Sequence, residues 1–157
     1  MEYKTNVMRM LDKHKVTYKY YTYADTEAIS GVEVAEILAQ NPAQVFKTLV
    51  TVGKTSNHYV FVIPVAKELD LKKAAHSVGE KSVEMLKQKD LLPTTGYVHG
   101  GCSPIGMKKF FKTTIDSSAQ DFDSIIFSAG KVGYQVQMSL KELEKVISFQ
   151  LENIILE

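Results

Sequence analysis

Tryptophan is absent from this 157-residue chain, cysteine occurs once, and proline and histidine occur four times each. A lone cysteine, Cys102, excludes an intramolecular disulfide, and four scattered histidines give no zinc-site spacing. No apolar run approaches the ~18 residues that span a bilayer. The N-terminal MEYKTNVMRMLDKHK is charged and amphipathic, without the apolar centre of a secretory signal. A cytoplasmic protein with no membrane association is therefore expected. Charge of one sign is also lacking: 19 basic against 18 acidic residues leave a net charge of +1. That balance supplies no bulk field for gripping DNA, so any nucleic-acid contact has to use a local patch.

What remains is ordinary globular usage, 45% hydrophobic and 24% charged, without a disordered or low-complexity tract. The length suits one domain, residues 1–157, with a core that needs no metal. Val7, Met8 and Leu11 recur at helical spacing from Thr5 to His14, and VTYKYYTY alternates as a strand through Val16, Tyr18 and Tyr20. Ser30 and Glu33 have capping-box spacing, which predicts a helix with Val34, Ile37 and Leu38 inward, stopped by Asn41-Pro42. GKTSN, residues 53–57, joins two strands as a hairpin, and KELDLKKAAHSVG predicts a short helix ending at Gly79. GYVHGG, KTTIDS, DSIIFSAG, YQVQMS and SFQLE read as further strands, with a helix from Ser139 through Val146 and Ile147. Strands joined by short turns, with helices interspersed irregularly, predict an α+β fold: a mostly antiparallel sheet or barrel with peripheral helices.

Within NPAQVFKTLVTV, residues 41–52, one lysine interrupts an apolar strand. Alternation puts Val45, Lys47, Leu49 and Thr51 on one face and Phe46, Thr48, Val50 and Val52 on the other, both mostly apolar. Desolvating an ammonium costs several kcal/mol, so Lys47 either snorkels from a strand edge or lines a cleft with a polar partner. Gly100-Gly101 can open backbone amides to a ligand or simply make a turn, and Ser128 to Gly133 lacks phosphate-loop spacing and reads as a bulged hairpin. Cys102 with His99 as base is disfavoured, because strand alternation would turn the two side chains apart. His14, His58 and His76 read as surface or rim histidines. Lys108, Lys109 and Lys112 beside Phe110 and Phe111 suit RNA, or a solvated face over core aromatics.

Several of these segments fall together in a recognisable order. Asn41-Pro42 with Val45-Phe46-Lys47-Thr48-Leu49, Pro64-Val65-Ala66, Leu69-Asp70-Leu71-Lys72-Lys73, Thr95-Gly96-Tyr97, Gly100-Gly101 with Ser103-Pro104 and Gly106, and Ser128-Ala129-Gly130-Lys131 resemble the YbaK family over nearly the whole chain. That family comprises free-standing relatives of the editing domain inserted in bacterial prolyl-tRNA synthetases, and hydrolyses mischarged aminoacyl-tRNA, chiefly cysteine on tRNA for proline. The resemblance implies that Lys47 is the essential lysine at the mouth of the site. It implies further that Tyr23, Thr48, Gly100, Gly101, Ser128, Gly130 and Gln135 surround the substrate, with no cofactor and no metal. Gln135 stands where the family commonly carries an acidic residue, and an aromatic is common near Ser30; Gln135 can hydrogen-bond but supplies no charge.

The implied chemistry needs no protein nucleophile. Charge developing on the ester carbonyl would be met by Lys47 and the amides near Gly100-Gly101, while the substrate's own thiol attacks. The implied partners are the acceptor end of aminoacyl-tRNA and prolyl-tRNA synthetase. Two other readings stay open: a deacylase for another small amino acid such as alanine, and an aminoacyl-tRNA-binding module without catalysis.

Overall fold

The computed structural model describes residues 3–26 and 30–157. Helix α1, Asn6–Lys13, starts where the Thr5 hydroxyl accepts from the Met8 amide at 3.2 Å, and it buries Val7, Met8 and Leu11. Strand β1 is shorter than its alternation suggests, Lys19–Thr22, and Tyr20 is 42% exposed. The reason lies in the preceding turn. Lys15 is left-handed (φ 56°), Val16 N–H returns to the Leu11 carbonyl, and Thr17 N–H is held by the Glu142 carboxylate, so these amides are not available to a ladder.

The capping box before α2, Gly31–Ile37, forms in both directions at 3.1 Å. Its inward face differs from the expectation: Val34 and Ala35 are buried, whereas Ile37 is 52% exposed. Ala35 sits against Val45, Val65 and Ile126, and a helix of this length has room for only one such edge. The helix closes with a Schellman motif, in which Gln40 N–H reaches the Ala35 carbonyl at 2.8 Å and Ala39 N–H reaches Glu36 at 3.1 Å. Ala39 takes the left-handed position (φ 54°) that glycine usually occupies.

Strands β2, Phe46–Gly53, and β3, His58–Pro64, pair antiparallel through the expected hairpin, from Phe46 opposite Pro64 to Val52 opposite His58. Helix α3, Leu71–Val78, is capped by Asp70 and closed by left-handed Gly79. The short β4, Val83–Met85, adds to β2, and α4 follows at Gln88–Thr95. GYVHGG is not a strand. Gly96 ends α4 at φ 87°, the buried Thr95 hydroxyl holds the Tyr97 amide at 3.0 Å, and Gly101 N–H closes a turn onto Val98.

Strands β5, Lys112–Asp116, β6, Ile125–Ser128, and β7, Tyr134–Met138, follow the sequence pattern. Helix α5 covers only Leu140–Leu143, short of the expected Ile147, before β8 at Gln150–Glu152. Ser139 caps it, but the Glu142 carboxylate accepts from Thr17 and pairs with Lys145 instead of returning to the Ser139 amide.

The fold is α+β, with two sheets. One is antiparallel, in the order β1-β7-β6. The other, β4-β2-β3-β5-β8, is mixed, because β5 runs parallel to both β3 and β8. Pairing is mostly antiparallel, as expected, and the two parallel ladders are made where the chain returns through long connections that hairpin patterns cannot reveal. Both faces of the β2–β3 pair are covered. Val50, Val60 and Val62 belong to the main core with α1, while Phe61 and Ile63 pack with Ala74, Ala75 and Ile154 on the other side. Val45 joins the sheets, bridging to Ile126 while its carbonyl accepts from Val65 at 2.8 Å.

Candidate active site

A cavity of about 370 Å³ opens where the two sheets meet at the start of β2. Lys47 lies on the face that also carries Leu49 and, across the ladder, Ile63 and Phe61. It lines the cavity and is half-buried. Burial in this apolar surround pushes its pKa below the ordinary lysine value, with the charge of Glu68 opposing the shift. The strand lysine thus occupies a cleft, in preference to a water-facing edge.

Tyr23, Thr48, Gly100, Ser128 and Gln135 line the same cavity. Tyr23 follows β1, and its N–H bonds the Gly133 carbonyl at 2.8 Å. Gly133 (φ 101°) is required there, because a Cβ would lie 3.0 Å from the Ala24 backbone. Ser128 and Gln135 face each other across the β6–β7 ladder, and the Ser128 hydroxyl accepts from the Gly130 amide at 3.1 Å. Gln135 is only 5% exposed, and its Oε1 accepts from Gln40 Nε2 at 2.9 Å. The Thr48 hydroxyl is buried without a hydrogen-bond partner among the described residues.

Gly101 and Gly130 do not line the cavity. Gly101 packs on the backbone at Val132, and Gly130 packs against Val7 and Tyr97. They shape the walls from behind.

Sequence reasoning missed part of the site. His99 and Cys102 both line the cavity, because the segment between them is a turn and strand alternation does not apply. Proximity does not make Cys102 a nucleophile: burial pushes its thiol up to about 12, only partly offset by the Thr95 hydroxyl, so it stays protonated at neutral pH. Gly31 also lines the cavity and has no room for a side chain, since a Cβ would stand 2.5 Å from Val65 Cγ1. The capping box marked the helix start, but nothing in the sequence joined it to Val65. No helix among the described residues is long and apolar enough to cross a membrane.

The family model for the aminoacyl-tRNA editing domain matches residues 26–146, which include every lining residue named above except Tyr23. The chain belongs to the aminoacyl-tRNA editing domain family. A relative from Enterococcus faecalis (strain ATCC 700802 / V583), named as a candidate Cys-tRNA(Pro)/Cys-tRNA(Cys) deacylase, EbsC, is 49% identical over 152 residues, 96% of this chain and 93% of the relative. Among solved structures, the hypothetical protein APE2540 superposes with a TM-score of 0.87 at 18% identity, covering 97% of this chain and all of the other. A candidate trans-editing enzyme for prolyl tRNA synthetase superposes with a TM-score of 0.82 at 20% identity, covering 99% of this chain and all of the other. At such identities the superpositions speak for the fold of this editing domain, an α+β architecture shared from end to end.

Proposed function

We propose that this editing domain releases cysteine from Cys-tRNA(Pro) in trans, with Lys47 as its catalytic residue. The observation that carries the reading is a half-buried, desolvated ammonium in a cavity whose one thiol is held protonated. The cavity supplies charge and position, and the substrate supplies the nucleophile. Its thiol sulfur bonds to its own ester carbonyl carbon, the carbon–oxygen bond to the tRNA ribose breaks, and the thiol proton ends on the departing ribose oxygen. Water then opens the thiolactone to free cysteine. Lys47 meets the carbonyl oxygen as negative charge develops there, a role worth roughly 3 kcal/mol for a well-placed donor. Tyr23, Thr48, Gly100, Ser128 and Gln135 hold the aminoacyl end, while Gly101 and Gly130 fix the backbone around it.

Recognition of the whole tRNA rests elsewhere. A net charge of +1 neutralises few phosphates, so binding by the isolated protein is weak with a shallow salt slope. Prolyl-tRNA synthetase on the same tRNA, in the cytoplasm, would raise the effective concentration of the acceptor end at the pocket. The deciding experiment compares Cys-, Ala- and Pro-charged tRNA with the purified protein. Release from Cys-tRNA(Pro) well above the others supports this reading. Faster release from Ala-tRNA(Pro), or none above the spontaneous rate from any of the three, rejects it. Adding the synthetase should create a preference for tRNA of proline that the isolated protein lacks.

A further inference from the structure

Gln40 does not line the cavity, but it is hydrogen-bonded to Gln135, which does. We propose that Gln40 is a positioning residue that orients the Gln135 amide so that its Nε2 donor faces the aminoacyl group. This inference rests on the deacylase reading for its substrate and on geometry for its polarity.

The Schellman turn after α2 returns the chain toward β7 and leaves Gln40 against Gln135. Gln40 Nε2 donates to Gln135 Oε1 at 2.9 Å. An amide whose oxygen is engaged on one side exposes its nitrogen on the other, and Gln135 Nε2 makes no hydrogen bond to the described residues. The reverse arrangement is disfavoured by what lies behind Gln40. Its Oε1 is already buried without a partner. Reversing both amides would put two N–H groups in that place, and buried unpaired N–H groups are rarer than under-satisfied carbonyl oxygens. The single orphaned acceptor on Gln40 thereby fixes the direction of the pair. The cavity that Lys47 lines gains a neutral N–H donor, suited to a substrate acceptor that takes no charge in the reaction, such as a ribose oxygen next to the aminoacyl group.

A relay and a purely structural glutamine behave differently in a double-mutant cycle. Gln40→Met keeps the side-chain length and removes the donor. It should raise KM for Cys-tRNA about fivefold to tenfold with kcat within about twofold, the pattern of lost binding that ground state and transition state share. The same change in a Gln135→Met background should add nothing. Additive effects would overturn the proposal, because Gln40 would then act without Gln135. A second measurement is independent of activity: solvent exchange of the Gln135 Nε2 hydrogens, followed by NMR. Exchange should be fast in the wild type. It should slow in Gln40→Glu, where a side chain that only accepts draws Gln135 Nε2 away from the cavity. Protected hydrogens in the wild type, or no response to Gln40→Glu, would refute the proposed orientation. Failure of the wild type to release cysteine would instead reject the deacylase reading, with the exchange data still deciding the relay.

Discussion

Replacing Lys47 by methionine separates catalysis from folding. In the wild type the ammonium stands half-buried among apolar neighbours, with burial lowering its pKa and Glu68 partly restoring it. Two routes give the magnitude of its catalytic part. A unit charge 4 Å from a developing oxyanion is worth about 4 kcal/mol at an effective dielectric of ~20. Removing one preorganised donor from an oxyanion site costs about 2.7–4 kcal/mol, or 10²–10³ in kcat. Lys47→Met should therefore slow deacylation of Cys-tRNA(Pro) by at least about a hundredfold. Stability should move the other way. A lysine with a depressed folded-state pKa costs stability at neutral pH, and that cost disappears only as pH rises toward 10.5. The variant should thus melt no lower than the wild type at pH 7. The same depression moves the alkaline limb of the background-corrected kcat/KM profile, which reports the free enzyme, below 10.5, because the cation is the active form. The assay is release of labelled cysteine, paired with a thermal melt. A folded variant that deacylates within a few-fold of the wild-type rate would refute the catalytic assignment.

Gly31→Ala places a Cβ 2.5 Å from Val65 Cγ1, so it should cost about 1–3 kcal/mol in urea unfolding and distort the cavity wall, raising KM. Ala39→Gly relieves a left-handed alanine at the end of α2 and should stabilise the fold by up to about 1 kcal/mol in the same assay. Cys102 should resist iodoacetamide at pH 8 in the native state and react at once in denaturant. Because its folded-state pKa lies above the usual thiol value, its contribution to stability is complete below pH 9 and declines toward pH 12. Cys102→Ala should remove that part of the alkaline slope in a pH series of melts.

The local elements were legible where periodicity and capping act over a few residues. The β2–β3 hairpin, α1, the start of α2 and the Gly79 stop all follow from such signals. Lys47 was legible for a different reason: a cation on a strand with two apolar faces needs an explanation, and the cavity supplies it. What the pattern could not show depends on distant partners. Thr17 and Glu142 lie 125 residues apart, yet their contact shortens both β1 and α5. The strand reading of GYVHGG failed because Thr95 and left-handed Gly96 convert it into a turn, and this error hid the shared position of His99 and Cys102. The parallel placement of β5 between β3 and β8 left no mark on any single segment. Gln40 gave no sequence signal, since its contact is with Gln135 on β7, 95 residues away.

The hairpin that carries Lys47 also sets where this protein tolerates changes of length. Along β2, alternation assigns Phe46 and Val50 to one side and Lys47 to the other, each locked opposite a residue of β3. One residue inserted between Lys47 and Val50 would turn Lys47 toward the main core, or move the core side chains out, and would abolish site and fold together. The turn at residues 54–57 lies beyond the end of that register, with its tip exposed. A peptide inserted there lengthens the loop without altering which side chain faces the cavity, and loop entropy grows only slowly with length. The far end of the hairpin is therefore the place to attach a label or a tether, and its near end admits no insertion at all.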